Sequence, residues 1–229
     1  MMIDIAANYT RIREQVAEAE RRSGRQPNSV TIVCAAKAKG PAAVQAALTA
    51  GATDIGENYV QEAQQKIVQV TTPACWHLIG HLQRNKAKTA VQLFTLIHSL
   101  DSVALARELH RQGEKQKRVV RTLIEVNLGG ETTKSGIALE EVEPLLEAAS
   151  ALSHIQVEGF MTVPPPGSTA EAARPYFRTL AELRDRYARF QKTNVRFDEL
   201  SMGMTDDFPV AIEEGATIVR IGRAIFGER

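Results

Sequence analysis

Apolar and polar positions along the chain alternate between two periods. Residues 8–23, NYTRIREQVAEAERRS, are rich in helix formers and end at Gly24 with Pro27 close behind, which predicts an opening helix with a defined stop. Short β-branched or apolar runs then recur at 30–36, 53–55, 75–79, 93–98, 119–127, 155–161, 197–201 and 217–221. Helical stretches separate them, among them PAAVQAALTAG, YVQEAQQKIVQV, SVALARELHRQGEKQ and EAARPYFRTLAELRDRYARF. Strand and helix alternating in this way predict parallel strands joined by right-handed crossovers. Eight such units in 229 residues fit an α/β fold, a single closed (β/α)8 TIM barrel with an extra N-terminal helix, as one domain over residues 1–229. A doubly wound open sheet is the competing architecture. The proline-rich segment 163–175, VPPPGSTAEAARP, is expected as a loop on the barrel rim.

Composition narrows the function classes. Lys and Arg number 28 against 27 Asp and Glu, a formal charge of +1, so no global field draws the chain to nucleic acid or an anionic membrane. Arg84, Lys86 and Lys88 in LQRNKAK, with no interleaved aromatics, are expected on a solvated helix face. The first residues, MMIDIAANYTRIREQ, lack the apolar core of a secretory signal, and no apolar run is long enough to span a bilayer. Cys34 and Cys75 both fall in apolar runs and are read as reduced core residues, which makes a cytoplasmic location the expectation. A complete barrel with a balanced surface is expected to stand as a monomer.

Active sites of such barrels gather at the C-terminal ends of the strands. On the first strand Thr31, Val33, Ala35 and Lys37 share one face, so Lys37 at the barrel mouth sits over an alanine. An amine over small apolar neighbours is partly desolvated, which lowers its pKa and favours the neutral form that attacks an aldehyde; Lys39 or Arg220 nearby would act the same way. Ser201 closes the seventh strand, and Gly203 with Thr205 is expected to open a helix, a place that welcomes phosphate. Gly222 and Arg223 offer a second set of amides in a tight turn after the eighth strand. Arg220, inside the upper barrel, is expected either to pair with an acid, Glu199 being one choice, or to donate to a ring nitrogen of a ligand. An aldehyde-trapping lysine, a phosphate cup and such an arginine together describe a site for pyridoxal 5′-phosphate.

The segments AAKAK around Lys37, GENYVQEAQQK, WHLIGHLQRNK, HSLDS, VNLGGETTKSG, GFMTVPPP and LSMGMTDDFPVAIEEGATIVRIGRAIFG, in this order, resemble the pyridoxal phosphate homeostasis proteins from about residue 8 onward. The resemblance implies a barrel of the alanine racemase N-terminal type holding pyridoxal 5′-phosphate as a Schiff base on Lys37, without established turnover. It implies Asn58 beside the ring hydroxyl of the cofactor, Arg220 facing its pyridine nitrogen, and Ser201, Gly222 and Arg223 at its phosphate. Thr205 stands where a serine is usual and is the weaker phosphate contact. Ala36 replaces a frequent serine before the lysine, at a position that alternation points away from the pocket.

Racemases on this barrel carry a further β-rich domain supplying a tyrosine acid/base, for which the chain, ending at Arg229, leaves no expected room. The leading expectation is therefore a non-enzymatic protein of intracellular pyridoxal phosphate homeostasis, storing, buffering or delivering the cofactor, with amino acids and apo-enzyme acceptors as transient partners. The alternative is a small racemase or a Schiff-base aldolase using His81, Tyr59 or Asp101 as a second acid/base. His77 and His81 straddle a strand end and lack further ligands, so no metal site is expected.

Overall fold

The computed structural model of the chain describes residues 3–130, 135–190 and 192–228, so residues 131–134 of the VNLGGETTKSG stretch lie outside the described residues. The opening helix, α1 (Ile5–Arg22), is capped by the Asp4 carboxylate, which accepts from the Ala7 amide. Its buried stripe, Tyr9, Ile12, Val16 and Ala19, recurs at helical spacing.

After α1 the chain follows β1 (Thr31–Ala35), α2 (Pro41–Thr49), β2 (Asp54–Glu57), α3 (Val60–Ile67), β3 (Cys75–Leu78), α4 (Ala87–Leu93), β4 (Leu96–Leu100) and α5 (Val103–Gln116). The second half runs β5 (Val120–Glu125), α6 (Val142–Ser150), β6 (Ile155–Met161), α7 (Ala170–Tyr187), β7 (Val195–Ser201), α8 (Phe208–Glu213), β8 (Ile218–Ile221) and α9 (Arg223–Phe226). The strands form a closed parallel barrel in sequence order. Closure is made by β1 against β8, with Thr31 opposite Ile218 and Val33 opposite Arg220. The expected barrel is thus observed, and the open sheet is not.

Two cores result from the alternation of side chains along each strand. Outward positions such as Cys34, Ile55, Leu78, Ile97, Phe160, Leu200 and Val219 pack under the helices in one continuous apolar layer, which also takes in Ala36. Inward positions form a small lumen cluster of Val33, Leu96, Leu123, Met161 and Ile218. The remaining lumen is polar: His77, His98, Ser201 and Arg220 are all buried. Toward the floor, the Glu158 carboxylate accepts from Arg121 at 2.7 Å and Arg196 at 2.7 Å.

Several boundaries differ from those expected, each for a local reason. Strand β2 extends through Gly56 and Glu57, whose burial is not announced by apolar character. Strand β4 starts at Leu96 because Leu93 completes α4. Helix α7 begins at Ala170, within the segment expected as loop, because the Thr169 hydroxyl caps it by accepting from the Ala172 amide, and it carries Pro175 inside. Helix α8 starts at Phe208, not near Gly203, since residues 203–207 turn first and Pro209 supplies a favourable first turn. Cys34 is buried as expected, but Cys75, the first residue of β3, is exposed at the floor. Among the described residues no helix is long and apolar enough to cross a membrane.

Among the described glycines the tightest backbone approach lies between β6 and β7, where the register shifts between Val157 and Gly159. Gly159 has φ +148°, and a Cβ there would lie 1.9 Å from the Glu199 carbonyl oxygen. Gly159→Ala is expected to cost about 2–4 kcal/mol of stability through backbone strain and displacement of β7, read as a lower midpoint in guanidinium denaturation.

Candidate functional site

At the C-terminal end of the barrel a cleft of about 640 Å³ is lined by Lys37 and Lys39 after β1, Asn58 after β2, Thr205 and Asp206 after β7, and Arg220, Gly222 and Arg223 of β8 and its following turn. Closure of the barrel is what brings the two ends of the sequence together here. Gly222 lies so close to β1 that a Cβ on it would stand 3.2 Å from the Ala35 carbonyl oxygen, within the range where the neighbour must give way.

The short segment bearing Lys37 is held from both sides. The Ala36 amide donates to the Gly56 carbonyl at 2.9 Å, and the Ala36 carbonyl accepts from the Lys39 amide at 3.0 Å and from Lys66 Nζ at 2.8 Å. Ala38 follows with φ +59°, an uncommon conformation for a residue with a side chain, and its amide donates to Glu62 Oε2 at 3.2 Å. Lys66 projects from α3 into the apolar layer, where it also meets Glu57 Oε1 at 2.6 Å. Burial pushes the Glu57 carboxyl upward, and the hydrogen bond from Lys66 opposes it. This bracket was not foreseen. The signal for it was a lysine falling on the buried stripe of α3 with Val60 and Ala63, nine residues after a strand-end glutamate.

Arg220 enters the lumen as expected, but it does not pair with Glu199, whose Oε2 accepts from the Thr217 hydroxyl near the start of β8. Instead Arg220 Nη1 donates to Ser201 Oγ at 2.6 Å and Nη2 to the Thr162 carbonyl at 2.8 Å. Burial pulls its pKa down to about 10, opposed by Glu125 and Asp207, so it remains a cation at neutral pH. Ser201 is fully buried and its hydroxyl also meets His98 Nδ1 at 2.9 Å. It is not among the residues lining the cleft, which it meets through Arg220. Thr205 lines the cleft and its Oγ1 accepts from the Ala224 amide at 3.3 Å. The Arg223 guanidinium is engaged by Asp206 at 2.5 Å and Glu228 at 3.1 Å on the rim, so a phosphate there would meet the turn's backbone before that side chain. Lys39 Nζ donates to the Glu228 carbonyl at 2.7 Å.

Of the three alternative acid/base residues none lines this cleft: His81 pairs with Asp101 at 2.9 Å, and Tyr59 is exposed. His77 points into the lumen, and no group of three or more His, Cys, Asp or Glu fit to hold a metal ion occurs among the described residues.

Comparison with known proteins converges on one family. The alanine racemase N-terminal domain family matches residues 7–229. The chain is 44% identical over 221 residues to the pyridoxal phosphate homeostasis protein of Aquifex aeolicus, covering 96% of each chain, and 38% identical to that of Pseudomonas aeruginosa, covering 100% of this chain and 97% of the relative. This chain belongs to the pyridoxal phosphate homeostasis protein family. Within the solved structures, PipY of Synechococcus elongatus PCC7942 with PLP bound superposes with a TM-score of 0.81 at 35% identity, over 93% of this chain and 100% of PipY. The family resemblance expected from the motifs and the barrel fold are thereby both met.

Glu125, at the mouth end of β5, carries a pH signature. It is buried, its Oε2 has no hydrogen-bond partner among the described residues, and burial aided by Asp101 raises its pKa from 4.5 to about 7 against the pull of Arg220. Between those two values the folded chain holds a proton that the unfolded chain has lost, so this group makes stability fall as pH rises through that window. Glu125→Gln is expected to match the parent near pH 4 and to exceed it near pH 8 by up to ~3 kcal/mol, as measured by denaturant unfolding at each pH.

Proposed function

We propose that this chain binds pyridoxal 5′-phosphate in the cleft at the mouth of the barrel, covalently through Lys37, and acts in the intracellular homeostasis of that cofactor by storing, buffering or delivering it without turning over a substrate of its own. The observation that carries the reading is that an amine-bearing residue after β1, the turn after β8 and a buried guanidinium between them line one cleft. Membership of a family whose relatives are named for pyridoxal phosphate homeostasis supports it.

The residues fit the group. Thr205 and the backbone around Gly222 and Arg223 would hold the phosphate, where Gly222 leaves space against Ala35 that a side chain would fill. Asn58 would lie near the ring hydroxyl, and Arg220 near the ring nitrogen. Ser201, with its hydroxyl taken by Arg220 and His98, would serve the arginine in place of the phosphate. When bound, the cofactor supplies an electrophilic aldehyde and an electron-withdrawing ring. Lys37 would hold the cofactor reversibly through its amine, with loss of water. Arg220 keeps its proton at neutral pH and would donate a hydrogen bond to the ring nitrogen without protonating it, an arrangement that would leave the ring a weak sink for electrons. A firm grip joined to a weak sink favours custody of the cofactor over chemistry on a substrate, and the acid/base residues that a racemase or aldolase would need from His81, Tyr59 or Asp101 do not line the cleft.

Lys37→Ala is expected to abolish covalent capture. After incubation with pyridoxal 5′-phosphate and reduction by borohydride, intact-mass analysis of the parent would carry one adduct mapped to Lys37, and the variant none. An undiminished adduct on the variant, or none on the parent, would overturn the reading.

A further inference from the structure

We infer that His98 and His77 are positioning residues for Arg220: with Ser201 and Asp54 they form a hydrogen-bonded chain of one fixed direction that crosses the barrel lumen from floor to cleft and sets which N–H groups of the guanidinium face a ligand. The links are of ordinary hydrogen-bond length. Asp54 Oδ1 meets His77 Nε2 at 2.9 Å, His77 Nδ1 meets His98 Nε2 at 2.9 Å, His98 Nδ1 meets Ser201 Oγ at 2.9 Å, and Ser201 Oγ accepts from Arg220 Nη1 at 2.6 Å. Each link joins a different strand, β2, β3, β4, β7 and β8 in turn, from the first residue of β2 to the upper part of β8.

The direction follows from the ends. Arginine only donates, and an ionised carboxylate only accepts. Asp54 is held ionised, its carboxyl lowered against the cost of burial by its hydrogen bonds with His77 and Thr53. His77 therefore carries its hydrogen on Nε2 and accepts at Nδ1, if neutral. His98 must then donate from Nε2 and accept at Nδ1, so the Ser201 hydroxyl hydrogen points to His98 and its oxygen is left to receive Arg220. An added proton on His77 would reverse both links of His98, and one on His98 would reverse its link to Ser201; either turns the serine hydrogen away. His98 is wholly buried with Arg220 beyond one serine, and burial first, then His77 and Arg220, hold its pKa well below the usual histidine range. His98 is thus held neutral, and the inferred chain is the one with a single hydrogen on each ring.

The consequence reaches the cleft. Ser201 and the Thr162 carbonyl take two of the five guanidinium N–H groups, and the Thr162 hydroxyl is itself tied to the Val126 carbonyl at 2.8 Å. The other three have no partner among the described residues, and Arg220 lines the cleft. Lumens of such barrels are ordinarily filled by branched apolar side chains, so a line of imidazoles here supports a fixed orientation of the arginine more than it supports packing.

The effect on a bound ligand rests on the cofactor reading above, whereas the direction of the chain does not, and two measurements separate them. Long-range proton–nitrogen NMR of the ligand-free protein at neutral pH is expected to find both rings neutral with hydrogen on Nε2; hydrogen on Nδ1, or a charged ring, at either residue would overturn the directed chain. With pyridoxal 5′-phosphate added, His98→Leu is expected to weaken binding about tenfold and to move the visible absorption band of the bound cofactor, while His98→Gln, which keeps one acceptor and one donor, stays within about twofold of the parent with the band unmoved. If the leucine variant does not fold, Ser201→Ala removes Arg220's partner directly and is expected to move the band likewise. An unmoved band in the folded leucine or alanine variant would refute the positioning role while leaving the cofactor reading intact. A parent that takes up no pyridoxal 5′-phosphate would refute the cofactor reading and with it the role toward the ring, and the NMR result would still decide the chain.

Discussion

Closure of the sheet between β1 and β8 is the constraint on which the site depends. Thr31, Ile32, Val33 and Cys34 lie opposite Ile218, Val219, Arg220 and Ile221, and this register fixes three things together. Arg220 must point into the lumen because its neighbour Val219 packs outward beneath the helices. Lys37 leaves the barrel beside the Gly222 turn. The turn after β7 is drawn over both, since the Arg220 amide donates to the Gly203 carbonyl at 3.0 Å. A one-residue slip in this pairing would exchange the inward and outward sets of β8 and remove the guanidinium from the cleft.

The barrel accepts a polar lumen at some cost to stability. Arg220, His77, His98, Glu125 and Ser201 all occupy volume that apolar side chains would fill without desolvation. Most of these groups recover the loss through hydrogen bonds, but Glu125 Oε2, like Glu57 Oε2 in the outer layer, has no hydrogen-bond partner among the described residues, and Ala38 keeps an uncommon backbone angle beside Lys37. The unrecovered costs gather round the mouth of the barrel, where strained or unsatisfied groups are commonly tied to binding.

Much of this was legible in the residue pattern. Eight strands and their order followed from β-branched runs separated by amphipathic ones, and period-two alternation correctly turned Ala36 into the outer layer and Arg220 into the lumen. Its failures have a common physical origin. Hydropathy does not report that a polar residue is buried when it is paired, so Glu57, His98 and Lys66 gave no strand, lumen or core signal of their own. Height in the barrel is equally hidden: Arg220 bonds Ser201 and the Thr162 carbonyl, whereas Glu199 sits lower in the barrel against Thr217. Burial of Ser201 is hidden in the same way: as the inward neighbour of outward Leu200 it faces the lumen, where its hydroxyl meets His98 and Arg220. Cys75 was put in the core by its apolar neighbours, whereas as the first residue of β3 it emerges at the floor.

That last position has a practical side. Cys34 is buried, and its thiol is pushed up to about 12 by burial and by Asp54, so it stays unreactive toward alkylating reagents. Cys75 offers the chain's other thiol to solvent, at the end of the barrel opposite the cleft. A maleimide dye or spin probe would therefore attach at one defined point without mutagenesis and without crowding the mouth, giving a built-in reporter for following encounters with other proteins.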